Sequence, residues 1–300
     1  MNLLNARAGE RELVFPWRIS ARKCASADCT RKHTLWRGIL DNYPTVQLRG
    51  SAFCFPGCFE RELRRTLERA SNTPIPFAAR PRRIPIGLLM LSRGEINDRQ
   101  LRQALEAQKC AGNGRIGEWM QRLGFVDESD VAAAVARQWA CPLMKTLPAR
   151  LARCTVPTHL LRAFRMVPAH FTSSRRVMHM AFAEGIEYPA LVAIEQILNL
   201  KTEPCLTTER MLRTALEQVE EIKPEREKLF VNCRSIDEMV RIVSSYAAAL
   251  SANEARLAAC GEFLWIRVLG REPIDLLFLG NDAFAARLRP KHPDRYNLTA

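Results

Sequence analysis

"RIGEWMQRLGFVDESDVAAAVARQ", residues 115–138, repeats a pattern that the chain already carries as "PIGLLMLSRGEINDRQLRQALEAQ" at residues 85–108. When residue 85 is aligned with residue 115, the glycines and several apolar positions of the two stretches coincide, although most of their charged residues do not. Glycines and apolar side chains are the residues that folding constrains most. The match therefore predicts two copies of one structural unit that stack on a shared core.

Each copy is expected to fold as two helices joined by a tight turn. Gly94 and Gly124 should end the first helix of their copy, since helices commonly end at a residue with positive φ. Asn97 and Asp127 stand where a side chain can cap the second helix. The second helix of each copy should bury apolar residues four apart on one face, which are Leu101 with Leu105 and Val131 with Val135.

Three residues of the doubled pattern are not accounted for by this folding argument. Gln108 and Gln138 end the two copies and place an amide near the expected apolar stripe. Arg115 opens the second copy, whereas Pro85 holds the same place in the first. A guanidinium can stack on a guanine and donate a planar pair of hydrogen bonds to a purine or a phosphate. These residues are therefore the main candidates for a functional role.

The pattern R-[LI]-G-x2-[LM]-x3-G-x6-[LV]-x3-[LV]-x2-Q resembles the MshEN domain, the N-terminal domain of type II secretion ATPases (GspE) and type IV pilus assembly ATPases. The resemblance covers residues 84–222 and implies a duplicated helical MshEN-type module followed by the α/β part of a GspE N-terminal region. It also implies that the two motifs bind cyclic di-GMP and that the partners are bacterial secretion or pilus assembly proteins. The site residues that it implies are Arg115, Ile116, Gly117, Gly124 and Gln138 from the second motif, and Ile86, Gly87, Gly94 and Gln108 from the first.

The first motif departs from the family pattern at its opening residue. Pro85 can neither stack as a cation nor donate a hydrogen bond. The spacer, residues 109–114, is also one residue longer than is usual in the family. Losing one charged hydrogen-bonding partner costs about 1.5–3 kcal/mol. The expected site therefore binds cyclic di-GMP weakly, binds another nucleotide, or binds nothing.

Four of the ten cysteines form two close pairs, Cys24 with Cys29 and Cys54 with Cys58. Two pairs of thiolates are a common ligand set for a structural zinc ion. The second pair precedes a predicted helix, whose N-terminal N–H groups favour a thiolate. The pattern predicts a zinc site in residues 1–70, which have too little apolar content for a core of their own. The alternative is that these cysteines are small core residues, as the other six are expected to be.

The second pair carries a further resemblance. Phe53, Cys54 and Cys58 resemble the treble-clef FCS zinc fingers, in which an aromatic residue precedes Cys-x3-Cys at the start of a helix. Phe55 stands where those fingers carry serine. The resemblance implies that the metal supports folding.

The chain as a whole is predicted to be an α+β multi-domain protein. A helix is expected at residues 60–70, strands and helices alternate after residue 164, and one long helix is expected over residues 235–260, followed by two strands. The expected order is a four-cysteine zinc-binding segment (1–70), a Pro-rich linker (71–83), the duplicated helical MshEN-like module (84–145), its α/β continuation (146–222), a C-terminal helix plus β-hairpin (229–283) and a loose tail (284–300).

Composition and motifs narrow the functional classes. The sequence has no G-x4-G-K-[ST] loop and no evident grouping of a nucleophile with histidine, so it is predicted not to be an enzyme. It has no secretion signal and no long apolar run, which predicts a cytoplasmic protein.

Of the net charge of +13, most comes from residues 1–83, with 16 Lys/Arg against 7 Asp/Glu. The leading prediction is a regulatory or adaptor protein. The alternatives are a nucleic-acid-binding protein that uses the basic zinc segment, or a purely structural interaction module.

Overall fold

The computed structural model describes residues 24–30, 44–72, 83–147, 156–221, 226–231, 233 and 235–279 of the 300-residue chain. This part of the chain is an α+β structure with two sheets. Most of the predicted linker and all of the predicted tail lie outside the described residues. A bilayer-crossing helix is not found among the described residues, because none of their helices is both long and apolar enough.

The helices and strands of the described residues follow one another in an irregular order. The helices are α1 (Gly57–Asn72), α2 (Ile86–Ser92), α3 (Asp98–Ala111), α4 (Ile116–Arg122), α5 (Glu128–Trp139), α6 (Thr158–Ala163), α7 (Tyr188–Leu198), α8 (Glu209–Glu221) and α9 (Ile236–Ala249). The strands are β1 (Thr45–Leu48), β2 (Ser51–Cys54), β3 (Val167–Thr172), β4 (Val177–Phe182), β5 (Lys201–Leu206), β6 (Glu227–Phe230), β7 (Glu254–Cys260), β8 (Phe263–Leu269) and β9 (Ile274–Leu279).

The larger sheet has six strands in the order β2-β1-β7-β8-β9-β6. The hairpin of β1 and β2 turns through Arg49 and Gly50, both at positive φ (53° and 81°), as a type I′ turn requires. β1 also pairs in parallel with β7. The structure therefore joins parts of the expected segments 1–70 and 229–283 in one sheet. The physical reason is that a two-strand hairpin is marginal alone and gains a core by extending a larger sheet.

The long helix predicted over residues 235–260 is wrong in its second half. α9 ends at Ala249, Ser251 takes a positive φ of 50°, and Glu254–Cys260 forms β7. Alanine has a high helix propensity, which makes this alanine-rich stretch look helical. Its burial decides otherwise, because Ala255, Ala258 and Cys260 pack inside a sheet in which β7 is paired on both sides.

The larger sheet separates two hydrophobic cores. On one face, α1 and α9 pack over it through residues such as Phe59 and Val243, which contact the same cluster as Leu264. On the other face, Trp265 and Leu277 join the core of the smaller sheet and α7. Cys54 and Cys58 are buried members of the first core, and Cys24 and Cys29 are half-buried and pack against it.

The smaller sheet has the order β3-β4-β5, with β3 antiparallel and β5 parallel to β4. α7 makes the crossover between β4 and β5, and α8 follows. The strands and helices predicted for residues 164–222 are confirmed.

The doubled pattern folds into α2–α3 and α4–α5, as predicted. The two copies share one small core, in which Met90 and Met120 are fully buried beside Ala104 and Ala134. The copies are exchanged in space: α3 of the first packs on α4 of the second, and α5 of the second packs on α2 of the first.

Candidate functional site

Each copy of the repeat has one glycine that takes a positive φ after the first helix and one that allows two helices to pack closely. Gly94 and Gly124 follow the first helix of their copy with φ of 70° and 71°, where other residues are strained. At Gly87, a Cβ would lie 2.6 Å from Leu101 Cδ1, and at Gly117 it would lie 2.8 Å from Val131 Cγ1. These two glycines let the helices of each copy approach closely.

The predicted caps of the second helices are confirmed. Asn97 Oδ1 accepts a hydrogen bond from the backbone N–H of Gln100, and the Gln100 side chain accepts one in return from the Asn97 N–H. Asp127 and Asp130 make the same reciprocal pair at the start of α5. Hydrogen bonds donated by the Ser129 hydroxyl and by the backbone N–H of Asp130 lower the pKa of Asp127. The matching caps give both copies the same entry geometry.

The buried stripe predicted for α3 is only half correct. Leu101 is buried, but Leu105 is 47% exposed. Val135, the corresponding residue of the second copy, packs against the core of the smaller sheet. The difference arises because the α/β part of the chain covers α5 and leaves this position of α3 open.

Folding does account for the two glutamines, contrary to the sequence-based argument. Gln108 Nε2 donates to the Gly114 carbonyl at 2.8 Å, and Gln138 Nε2 donates to the Ile84 carbonyl at 2.7 Å. The two hydrogen bonds occupy corresponding positions in the two copies, since each acceptor lies just before the opening residue of the other copy. Each glutamine therefore fastens the end of its own copy to the start of the other.

This exchange determines which predicted site residues lie together. Gln108 lies at the start of the second copy, next to Arg115, and Gln138 lies at the start of the first copy, next to Pro85. Ile86 and Ile116, the first residues of α2 and α4, are half-buried and pack on the repeat core.

Arg115 is the N-cap residue of α4, with an extended backbone (φ −96°, ψ 151°) that directs the helix away from it. Its side chain is 61% exposed, and its guanidinium pairs with Glu184 at 2.7 Å. Glu184 belongs to the loop between β4 and α7. The sequence offered no signal for this contact, because the partners are 69 residues apart. An exposed ion pair of this kind adds little stability, so the guanidinium remains available to a stronger anionic partner.

The start of the first copy has different chemistry. Pro85 is the N-cap of α2 and makes no side-chain cap. Two residues earlier, the Arg83 guanidinium carbon lies 3.2 Å from the centre of the Trp139 ring, a cation–π contact. Trp139 also packs against Tyr188, with ring centres 6.2 Å apart. The cation at this end therefore lies over an aromatic ring rather than at the helix start.

The four cysteines predicted as zinc ligands come together. Cys24, Cys29, Cys54 and Cys58 have their sulfur atoms all within 4.8 Å of one another. Sulfur atoms on one tetrahedral zinc stand about 3.8 Å apart, given a Zn–S distance of about 2.3 Å. The cluster therefore fits a zinc ion with only small side-chain adjustments.

The fold supplies each pair of cysteines from a different kind of element. Cys54 ends β2 and Cys58 lies in the first turn of α1, as in the predicted treble-clef arrangement. Cys24 lies in a loop that is fixed to β2 by a hydrogen bond from the Ala25 N–H to the Ala52 carbonyl at 2.9 Å.

Hydrogen-bond donors surround the sulfur cluster. The Cys54 N–H donates to Cys24 Sγ at 3.5 Å, and Arg61 Nη2 donates to Cys58 Sγ at 3.3 Å. Burial raises the pKa of Cys54 to about 12, and the neighbouring sulfur of Cys24 contributes to the increase. At Cys24, burial acts to raise the pKa, but hydrogen bonds from the Cys54 and Ser26 backbone outweigh it, and the pKa is lowered. Four thiols this close repel one another as thiolates, which a divalent cation relieves.

The arginines of α1 are largely paired with acids. Arg64 pairs with Asp237 of α9, and Arg65 with Asp28 at 3.2 Å. Arg69 lies 3.7 Å from Glu62. Most of the basic surplus of residues 1–83 lies outside the described residues, so the described part of the zinc segment offers no support for a nucleic-acid partner.

Comparisons with known proteins find similarity to secretion and pilus ATPases over less than half of the chain. No family model matches the chain. The type IV pilus assembly ATPase PilB of Thermus thermophilus is 23% identical over 135 residues, which are 44% of this chain and 15% of that protein. The chain thus spans about 15% of the length of this relative. Among solved structures, that of MshE with cyclic di-GMP is 24% identical, with a TM-score of 0.36, over 46% of this chain and 99% of that one. The N-terminal domain of XpsE is 19% identical, with a TM-score of 0.33, over 45% and 92% of the two chains.

Proposed function

We propose that this chain is a non-catalytic regulatory or adaptor protein whose doubled module binds a cyclic dinucleotide of the cyclic di-GMP type. The observation that carries the proposal is the exposed Arg115 guanidinium, held at the N-cap of α4 by two copies of one motif that close on each other. The second motif supports it, because every position of the family pattern that the sequence resembles is filled there, by Arg115, Ile116, Gly117, Met120, Gly124, Val131, Val135 and Gln138.

Within the proposed site, the residues divide into those that hold shape and those that bind. Gly87 and Gly117 allow close helix packing, and Gln108 and Gln138 fasten the copies together. Arg115 supplies the charge, because its guanidinium can stack on a guanine and donate to a phosphate oxygen. The ligand phosphate then competes with the Glu184 carboxylate, which occupies the guanidinium in the free protein.

Calorimetric titration of the intact protein with cyclic di-GMP tests the proposal. Arg115→Ala should weaken binding by about ten- to a hundredfold, the equivalent of about 1.5–3 kcal/mol. Arg122→Ala, which removes an exposed arginine from the same helix, is the matched control and should bind as the parent protein does. Pro85→Arg restores the family's missing residue and should tighten binding. No heat of binding at millimolar cyclic di-GMP, or equal affinity in the parent and Arg115→Ala, would contradict the proposal.

We further propose that the module acts with type II secretion or type IV pilus assembly proteins. The similarity to the pilus ATPase PilB over 135 residues supports this partner class. The test is co-purification of the tagged full chain with the assembly proteins encoded in the same organism, with and without cyclic di-GMP. Capture of none of them under either condition would contradict the proposal.

The cysteine cluster is proposed as a structural zinc site. Cys24, Cys29, Cys54 and Cys58 would hold the ion as thiolates, and the ion would supply cross-linking and charge neutralisation rather than chemistry. Elemental analysis of purified protein should find about one zinc per chain. A Cys58→Ser variant that keeps a full equivalent of zinc would contradict this assignment, while Cys110→Ser, at an exposed cysteine outside the cluster, is the control.

A further inference from the structure

A second set of metal-ligand side chains lies on the smaller sheet, far in sequence from the cysteine cluster. The three strands pair so that His170 of β3 lies opposite His179 of β4, and His179 lies opposite Glu203 of β5. Residues in register on neighbouring strands point to the same face of a sheet. The three side chains therefore form one continuous row across all three strands.

The face that carries this row is open to solvent where the row lies. His170 and Glu203 are exposed, and the His179 side chain is 25% exposed. Elsewhere on this face, the row of Val167, Ala181 and Cys205 is buried. The histidines thus stand where the hydrophobic core gives way to the surface, at positions that packing does not require to be histidine.

Two distances within the row, one between the imidazole rings and one between His179 and Glu203, are close to those between ligands on one metal ion. The two imidazole rings have centres 5.8 Å apart and are tilted by 34°. Two imidazoles on one tetrahedral zinc have ring centres about 5.3 Å apart, from a Zn–N distance of about 2.0–2.1 Å. His179 Nδ1 lies 3.6 Å from Glu203 Oε2. That separation is too long for a good hydrogen bond, but it is close to the roughly 3.4 Å between nitrogen and oxygen ligands on such an ion.

From this geometry we propose that His170, His179 and Glu203 bind a divalent transition-metal ion, with water completing the coordination. Strand pairing fixes the three Cα positions, so binding needs only side-chain rotation, and the exposed His170 is the ring that must turn most. Imidazole with carboxylate selects zinc, cobalt, nickel or copper over magnesium and calcium, which prefer all-oxygen sites. The site is separate from the cysteine cluster in both ligand type and location.

The experiment uses the full chain, loaded with one equivalent of zinc to fill the cysteine cluster and then treated with a weak chelator, which strips zinc from imidazole and carboxylate ligands but not from four thiolates. Titration with Co²⁺ should then show binding of about one further equivalent, with visible d–d absorption and no sulfur-to-cobalt charge-transfer band. Saturable binding of this kind supports the proposal. A sulfur-to-cobalt charge-transfer band would instead show that cobalt binds to cysteine. If that band appeared without a separate d–d absorption from a second site, the proposal would be overturned.

Conservative variants test which side chains bind the additional cobalt ion. His179→Asn and His170→Asn should each weaken cobalt binding at least about tenfold, a loss of at least about 1.4 kcal/mol, and Glu203→Gln should weaken it as well. His159→Asn, at a partly exposed histidine outside the row, is the matched control and should leave cobalt affinity unchanged. Circular dichroism checks that each variant is folded. Unchanged affinity in folded His170→Asn and His179→Asn, or no further equivalent in the parent protein, would overturn the proposal.

Discussion

A buried carboxyl in the larger sheet offers a test of the structure that does not depend on any ligand. Asp275 of β9 is 7% exposed. Its Oδ1 accepts a hydrogen bond from Trp265 Nε1 at 2.7 Å, and Arg267 Nη1 lies 3.7 Å from its Oδ2. Burial raises the pKa of Asp275 to about 6, with Arg267 and Trp265 opposing the increase and the Glu227 carboxylate adding to it.

A carboxyl whose pKa is higher in the folded state binds its proton more tightly there than in the unfolded chain. Its contribution to stability is therefore greatest below the unfolded pKa of about 3.9 and falls as the pH rises toward 6. A difference of roughly 2 pKa units corresponds to about 3 kcal/mol over the full range, of which about 2 kcal/mol falls between about pH 4 and about pH 7. Ionised Asp275 thus destabilises the sheet at neutral pH.

Asp275→Asn removes the titration while leaving an amide that can still accept from Trp265. Denaturant unfolding of the parent and variant at about pH 4 and about pH 7 measures the effect as a double difference, in which other titrating groups cancel. Relative to the parent, the free energy of unfolding of the variant should increase by about 2 kcal/mol between the two pH values. Glu106→Gln, at an exposed glutamate, controls for the loss of one negative charge. An equal difference at both pH values for Asp275→Asn would refute the reasoning.

Three further predictions concern the repeat module and the cysteine cluster. Gly117→Ala should lower the free energy of unfolding by about 1–3 kcal/mol through overpacking against Val131, whose branched side chain has little freedom to move; a neutral result in thermal unfolding would contradict this. Gln138→Leu should cost about 1 kcal/mol by leaving the Ile84 carbonyl without its donor, and chemical denaturation should detect it; unchanged stability would show that the bond contributes nothing. Removing zinc with a chelator should increase amide exchange in β7 as well as in residues 45–54, because β1 and β7 are paired; protection in β7 that does not change would argue against a shared sheet.

Local features of the fold were predictable from the sequence because their causes are local. Turn glycines at Gly94 and Gly124 and caps at Asn97 and Asp127 depend on residues within one turn of a helix. α1, α7 and the strands of the smaller sheet were predictable because their apolar residues follow the period of a helix or strand. In the same way, close spacing within each cysteine pair pointed to the cluster that the structure brings together.

Features that depend on distant parts of the chain were not predictable. β7 has the composition of a helix, and only its neighbours β1 and β8 make it a strand. The exposure of Leu105 follows from where the α/β part packs, which no pattern within the repeat records. The same holds for Glu184, whose role appears only when its loop is placed beside Arg115.

The reciprocal glutamine bonds of Gln108 and Gln138 give the repeat module the organisation of a dimer whose two subunits are joined in one chain. Two free copies would have to be identical and would have to meet by diffusion. A six-residue spacer instead holds them at an effective concentration in the millimolar range. Covalent fusion also frees each half to change by itself, so the first copy can carry proline at position 85 while the second keeps Arg115 and the shared core stays intact.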